Sequence, residues 1–423
     1  DKVAKSQNAA YRLVTEQGAQ VMENTMTSLP VRINGWLLPL LAFSLPLSTS
    51  AVTGLALLIL LFWAVSGEYA RKFREIARNG VCLAVLAYLA LHALGMLWTT
   101  DTASGLEMLS RQWKLLLLPV FLTAVRIEDR RRILYFFLAG LTVIMATAYL
   151  AWLDLYHLGG VTPEHPTRKL FHVVYNPMLA FGCYLALHEA VWGEAGARFR
   201  AGMLLLALVM AVNMFITEGR AGQLAFFVLL ALLLLQYFRK NILKGLLVAL
   251  VAVSLFFAGG YLLSPTFKLR VDAVRDEIAA FDTNPNTSIG LRLRFWRNSS
   301  VLIRRHPLIG VGTGDFQPAY KWVNMQASPA LVVTDNPHSQ YILVLCLLGI
   351  PGLVALLAIF FLQIRAARQS RDSLHRLRLA LPVLFLTIML TESYLIVNET
   401  GMLFSLFSAV LFKAETLPET GGV

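Results

Sequence analysis

Charge is what this 423-residue sequence has least of. Only 15% of it is Asp, Glu, Lys or Arg, against roughly 25% in soluble domains. Hydrophobic residues make up 57% and mean hydropathy is +0.63, which excludes a water-soluble globular domain. Cysteine is scarce as well. Cys82, Cys183 and Cys346 all fall in apolar runs, which excludes a disulfide framework and predicts free thiols packed as small hydrophobes. Metal signatures are missing: there is no His-Glu-x-x-His anywhere and no Asp-x-Asp between 264 and 338. His157, His165 and His172 share a loop at spacings too irregular for a metal site. Neither a metal nor a cofactor is expected, and nucleic acid is not expected as a partner. The glycine-rich turn from Pro307 to Phe316 follows no strand and precedes no Gly-Lys-Ser/Thr, so it does not read as a nucleotide loop.

What the sequence does have is apolar runs near the ~20 residues that cross a bilayer. They cover 36–47, 51–65, 81–98, 113–125, 133–155, 173–192, 201–217, 223–238, 245–263, 341–363, 379–396 and 401–412. A membrane barrel would show short alternating strands instead. The expected fold is all-α: a polytopic membrane protein with about 12 transmembrane helices. Residues 26–263 should hold helices one to nine, 264–338 a helical outer segment, and 339–412 the last three. Residues 1–25 form a polar leader ahead of Met26. In the tail 413–423, Leu417-Pro418-Glu419-Thr420-Gly421 matches a sortase recognition sequence and reads as an engineered tag.

Loop charge orients these spans. The loops 71–78, 126–132, 193–200, 239–244 and 365–378 together hold eighteen Lys and Arg. The short loops of the other side, 99–112, 156–172, 218–222 and 396–400, hold four. The positive-inside rule then puts both termini in the cytoplasm and 264–338 outside. The first two stretches are the weakest as spans; without them the count is ten and the sidedness is the same.

The outer segment reads as structured. Phe267, Val271, Val274, Ile278 and Phe281 recur at helical spacing, Asn284-Pro285-Asn286 breaks the pattern, and a second helix follows from Ile289. The segment holds nine Lys and Arg against six Asp and Glu. Basic residues on the outer face suit an anionic substrate, since Arg binds phosphate bidentately; they suit lipid headgroups or internal ion pairs equally. Arg220 lies in the tight turn Thr217-Glu218-Gly219-Arg220 between two apolar runs. A charge at that depth has either a functional reason or a partner such as Glu218. At the far end, Asp335-Asn336-Pro337-His338-Ser339-Gln340-Tyr341 opens the next span. Asn-Pro signals a turn and Pro favours a first helical position, so His338 is expected in the first helical turn. The helix N-terminus there disfavours imidazolium, and a neutral imidazole is either a general base or an interfacial histidine bonded to a loop carbonyl.

Three segments together resemble the O-antigen ligase family, which shares a domain with O-antigen polymerases and bacterial protein O-oligosaccharyltransferases. They are Thr217-Glu218-Gly219-Arg220-Ala221-Gly222; Gly290-Leu291-Arg292-Leu293-Arg294-Phe295-Trp296 leading into His306 to Gly312; and Asn336 to Tyr341 with Leu348-Gly349-Ile350-Pro351-Gly352. Gly219 stands where the family's turn usually has Ser. The resemblance is densest over 205–360 and implies a fold similar to the C-type membrane glycosyltransferases. It further implies a donor, undecaprenyl pyrophosphate-linked glycan, and a lipid A-core acceptor, both used at the periplasmic face of a bacterial inner membrane. His338 would then accept the acceptor's proton, while Arg220 and Arg292 hold the donor pyrophosphate. Lys321 and Asn336 are candidate substrate contacts, and reaction by single displacement inverts the sugar. Within the family, a polymerase or protein O-oligosaccharyltransferase is the alternative. Outside it, a secondary transporter would carry polar sites at mid-membrane in repeated halves, and neither pattern is visible.

Overall fold

Inside a bilayer no water satisfies backbone N–H and C=O groups, so a spanning segment must pair them within itself, and a helix does so. The computed structural model describes residues 28–157, 160–167 and 172–414, without the His172 side chain. The leader, the sortase-like tail, Arg168 and Lys169 lie outside the described residues. Among those described there are seventeen α-helices and no strand. In chain order they are α1 (Leu29–Ser44), α2 (Thr49–Val65), α3 (Tyr69–Arg78), α4 (Gly80–Gly95), α5 (Thr102–Arg111), α6 (Leu118–Ala124), α7 (Arg130–Trp152), α8 (His172–Trp192) and α9 (Ala197–Ile216). Then come α10 (Arg220–Tyr237), α11 (Ile242–Leu263), α12 (Pro265–Ala279), α13 (Ser288–Arg305), α14 (Phe316–Ala327), α15 (Gln340–Gln369), α16 (His375–Ile388) and α17 (Asn398–Phe412).

Each of the twelve apolar stretches contains a helix. Among the described residues six segments are long and apolar enough to cross a membrane, seven if α2 and α3, bent by 117°, count as one. The stretch 113–125 is mostly a short turn of 3-10 helix and the seven residues of α6. The stretch 379–396 stops being helical at Ile388. The outer segment holds three helices, α12 to α14, where the spacing predicted two.

The core is centred on α17, whose residues from Thr400 to Phe412 are all buried. It packs against α6, α16, α2, α7, α8 and α15, with Phe404 and Phe407 meeting Phe360, Phe385, Phe137 and Phe181. By contrast α11 buries only Gly245, Ala249 and Gly260 and shows its apolar surface outward, as a lipid-facing helix does.

Two close approaches position the site. Gly222, in the first turn of α10, lies directly on the backbone of Asn176 in α8, where a Cβ has no room. Gly222→Ala would force the helices apart, at a cost of about 1–3 kcal/mol. A lowered unfolding temperature in detergent is the expected reading; an unchanged one would mean the contact is soft. The second approach is at Gly349, where α15 breaks with φ +64°. The carbonyls of Cys346 and Leu347 there accept the N–H groups of Val311 (2.8 Å) and Gly312 (3.0 Å), and Ile350 N–H donates to Pro307 O at 2.9 Å. Gly310 and Gly312 have φ +68° and +108°. The glycine-rich turn is thus a brace that ties the outer segment to the broken helix.

Candidate active site

The His338 loop begins with local hydrogen bonds that the sequence encodes directly. Thr334 Oγ1 accepts Asn336 N–H at 3.1 Å, and Asn336 Oδ1 accepts His338 N–H at 3.0 Å. Such side-chain turns compete with helix formation. They hold His338 at φ +54°, a conformation a non-glycine residue keeps only when its surroundings enforce it. The α15 helix starts at Gln340 with Ser339 as its N-cap. His338 therefore precedes the helix, and its expected place in the first turn is corrected.

That correction changes the electrostatics. A carboxylate faces the imidazole: Glu392 Oε2 lies 2.5 Å from His338 Nδ1. The other oxygen, Oε1, accepts Asn336 Nδ2 at 2.7 Å and Ser393 N–H at 2.8 Å. Glu392 sits in the connection between α16 and α17, beyond the helical spans. Burial alone would raise its carboxyl, but His338, Ser393 and Asn336 outweigh burial and hold it below the ordinary value. An ionised Glu392 can only accept a hydrogen bond, so Nδ1 of His338 carries the N–H and, in the neutral imidazole, the lone pair is on Nε2. No described residue hydrogen-bonds Nε2, and the side chain is 35% exposed. The ring packs against Phe295 of α13, with centroids 6.0 Å apart and planes tilted by 24°. Trp296 Nε1 donates to Pro337 O at 2.9 Å. A carboxylate-oriented imidazole with one open nitrogen is the arrangement of a general base.

The same helix links this pair to the arginines. Arg292 lies one turn before Phe295 and Trp296, on the side of α13 that meets the His338 loop, within electrostatic reach of the Tyr394 hydroxyl. It has no carboxylate partner among the described residues. At the N-terminus of α13, Ile289 N–H donates to Glu277 Oε2 at 2.7 Å. Glu277 Oε1 faces Arg220 Nη2 at 3.3 Å. Arg220 thus pairs with Glu277 of α12, while Glu218, the partner weighed from the sequence, pairs with Arg270 and with His165 (3.2 Å). Burial would raise the Glu277 carboxyl, but the Ile289 N–H and Arg220 pull it below its usual value. Arg220 keeps its Nε buried with no hydrogen-bond partner. Ile289 to Phe295 is six residues, about 9 Å of helix, so Arg220, Arg292 and His338 border one region.

Residues 205–357 match the family model described as O-antigen ligase. Over that range this chain is similar to O-antigen ligase domains. It is also similar to an uncharacterized protein of Haemophilus influenzae, with 22% identity over 255 residues, 58% of this chain and 62% of that relative. The chain therefore spans somewhat less than two thirds of that relative. The family's enzymes are glycosyltransferase-like and act on lipid-linked glycans.

The ligase domain as matched includes Arg220, Arg292, Lys321, Asn336 and His338 but ends before Glu392. Glu392 is the residue that sequence reading missed. It fell inside the stretch 379–396, taken as an apolar span, and a lone carboxylate there was the available signal. Lys114 was missed likewise; it is 2% exposed and donates to Ile396 O at 2.8 Å, anchoring the loop that carries Glu392. Asn336 spends its side chain within the loop, donating to Glu392 and accepting from His338 N–H and Ser393 Oγ (2.9 Å). It is a positioning residue in this geometry. Lys321 is exposed on α14, while its neighbour Tyr320 is buried against Phe316 and Phe295 and Trp322 lies under Arg305. Among the described residues no hydrogen bond or ion pair joins Lys321 to the His338 region.

Proposed function

We propose that this protein is an O-antigen ligase, transferring a glycan from undecaprenyl pyrophosphate to lipid A-core oligosaccharide on the periplasmic face of the inner membrane. The observation that carries the chemistry is the Glu392–His338 pair with Nε2 open, beside Arg292 and Arg220. In the first step Nε2 takes the proton of the acceptor hydroxyl, and the hydroxyl oxygen attacks the donor's anomeric carbon. The bond from that carbon to the pyrophosphate oxygen breaks, and its electron pair leaves with the lipid pyrophosphate. Glu392 stabilises the imidazolium that forms, opposite in sign to the helix terminus inferred from sequence. Arg292 and Arg220 stabilise the charge growing on the leaving group, a role for which guanidinium groups need no metal. Single displacement inverts the sugar, and His338 then returns its proton to solvent. The twelve-span layout with cytoplasmic termini, and access for two lipids between helices, belong to this reading.

The test uses purified protein with both lipids, chelator and no nucleotide, with transfer followed on a gel. Glycan appearing on lipid A-core supports ligation. Longer lipid-linked chains without it would make the protein a polymerase, and transfer to a protein acceptor an oligosaccharyltransferase. Loss of transfer in chelator would move the leaving-group role to a metal. Arg220→Lys keeps the charge opposite Glu277 but loses the planar fork. About a tenfold fall in kcat/KM for the donor is expected, the scale of one charge-assisted hydrogen bond. Parent-like donor kinetics would confine Arg220 to its ion pair.

A further inference from the structure

The second half of α13 carries charge that this reaction does not use. Between 288 and 334 the sequence has six Lys and Arg and one acidic residue, Asp315. The Asp315 carboxylate is occupied by the N–H groups of Thr100 and Asp101, both at 2.8 Å. Arg297, Arg304 and Arg305 are exposed, fall along one side of α13, and have no carboxylate partner among the described residues. Arg297 and Arg304 lie roughly opposite Phe295 and Leu302, which are buried, while Arg305, three residues after Leu302, sits at the edge of that buried stripe. Arg305 lies 4.1 Å over the ring of Trp322, itself 46% exposed. Arg304 and Arg305 also complement the helix dipole in the last turn, which does not account for Arg297.

The brace at Gly349 sets the depth of this end of α13. Gly349 is nine residues into α15, about 14 Å along it. α15 has the length and apolarity of a membrane span, and the part after its break at Gly349, 350–369, is about 30 Å long, the thickness of the hydrocarbon core. Leu308 and Ile309 sit at that level and are 68% and 57% exposed, beside Ile350 and Val354 at 51% and 59%. Apolar side chains exposed at that depth face lipid tails. Arg304 and Arg305, in the last turn of α13, precede Leu308 by only a few residues, within the reach of long basic side chains that extend from apolar surface to lipid phosphates, and tryptophan such as Trp322 is favoured beside them.

We propose that Arg297, Arg304 and Arg305 bind the phosphates of anionic lipids in the adjacent leaflet, so that headgroup charge seats α13 on the bilayer. The same helix presents Phe295 to His338 and carries Arg292. Lipid charge therefore also tunes the site, a consequence that rests on the function proposed above; the binding itself does not.

The experiment reconstitutes the parent and the triple variant Arg297→Gln/Arg304→Gln/Arg305→Gln in vesicles of equal parts phosphatidylcholine and phosphatidylglycerol. Lipids retained after extraction are counted by native mass spectrometry, and folding is checked by size exclusion. Phosphatidylglycerol should be enriched on the parent and its affinity should fall about fivefold for each charge removed. Parent transfer, at saturating donor and acceptor, should be faster in the mixture than in phosphatidylcholine alone, and the variant indifferent. Equal retention of the two lipids by the parent, or undiminished enrichment on the variant, would overturn the proposal. So would unchanged retention with a raised acceptor KM, which would give the stripe to a phosphate-bearing acceptor. If retention falls as expected while no sample transfers glycan, lipid binding stands and the ligase reading fails.

Discussion

His338→Gly is expected to lower transfer by about a thousandfold, and added imidazole to restore part of it. The magnitude is that of a positioned general base. The choice of glycine follows from the backbone: at φ +54° an alanine would carry left-handed strain of its own, about 1–2 kcal/mol, whereas glycine adopts this conformation freely. Activity lost in the glycine variant is then lost chemistry. The space it leaves lies beside the Phe295 ring and opposite the Glu392 carboxylate, which can still orient a free imidazole. The measurement is kcat for glycan transfer over a range of imidazole concentration, with His338→Ala alongside. Loss in alanine but full activity in glycine would make His338 a backbone device. Loss in both without rescue, but with a raised acceptor KM, would make it a binding group.

The sequence made the helical class legible because apolar runs of bilayer length have few other solutions. It did not make the number of crossings legible. A run such as 379–396 looks continuous on composition, yet the helix ends at Ile388 and Glu392, in the connection beyond it, turns its carboxylate toward another loop. His338 and Arg220 stood out through local motifs, since each motif is a turn or a helix start. Their electrostatic partners were not: Glu392 is 54 residues from His338, and Glu277 is 57 from Arg220. Only the packing of α12, α13 and the 389–397 connection brings them together. Asn-Pro was misread for a related reason. Pro337 could have begun the helix on its own preference, but the Thr334 and Asn336 side chains hold the chain in a turn for two residues more.

Glu392→Gln is expected to cost nearly as much as losing the histidine, about a hundredfold to a thousandfold in kcat, with KM values little changed. The change is isosteric, so the reason lies in hydrogen-bond direction. Three donors converge on the two oxygens: Asn336 Nδ2 and the Ser393 N–H on Oε1, and His338 Nδ1 on Oε2. A glutamine offers one oxygen and one NH2. With the oxygen toward the two donors, the NH2 faces Nδ1, which must then accept. The imidazole proton moves to Nε2, the nitrogen that has to take the acceptor's proton, and the base is lost while the loop stays intact. With the amide reversed, the NH2 opposes Asn336 and Ser393 and the connection between α16 and α17 loosens. The charge that stabilises the imidazolium is gone either way. Nitrogen NMR of labelled histidine separates the two, since the first orientation moves the proton between ring nitrogens and the second lowers thermal stability. Parent-like kcat in a folded Glu392→Gln protein would mean that His338 does not work as a carboxylate-oriented base.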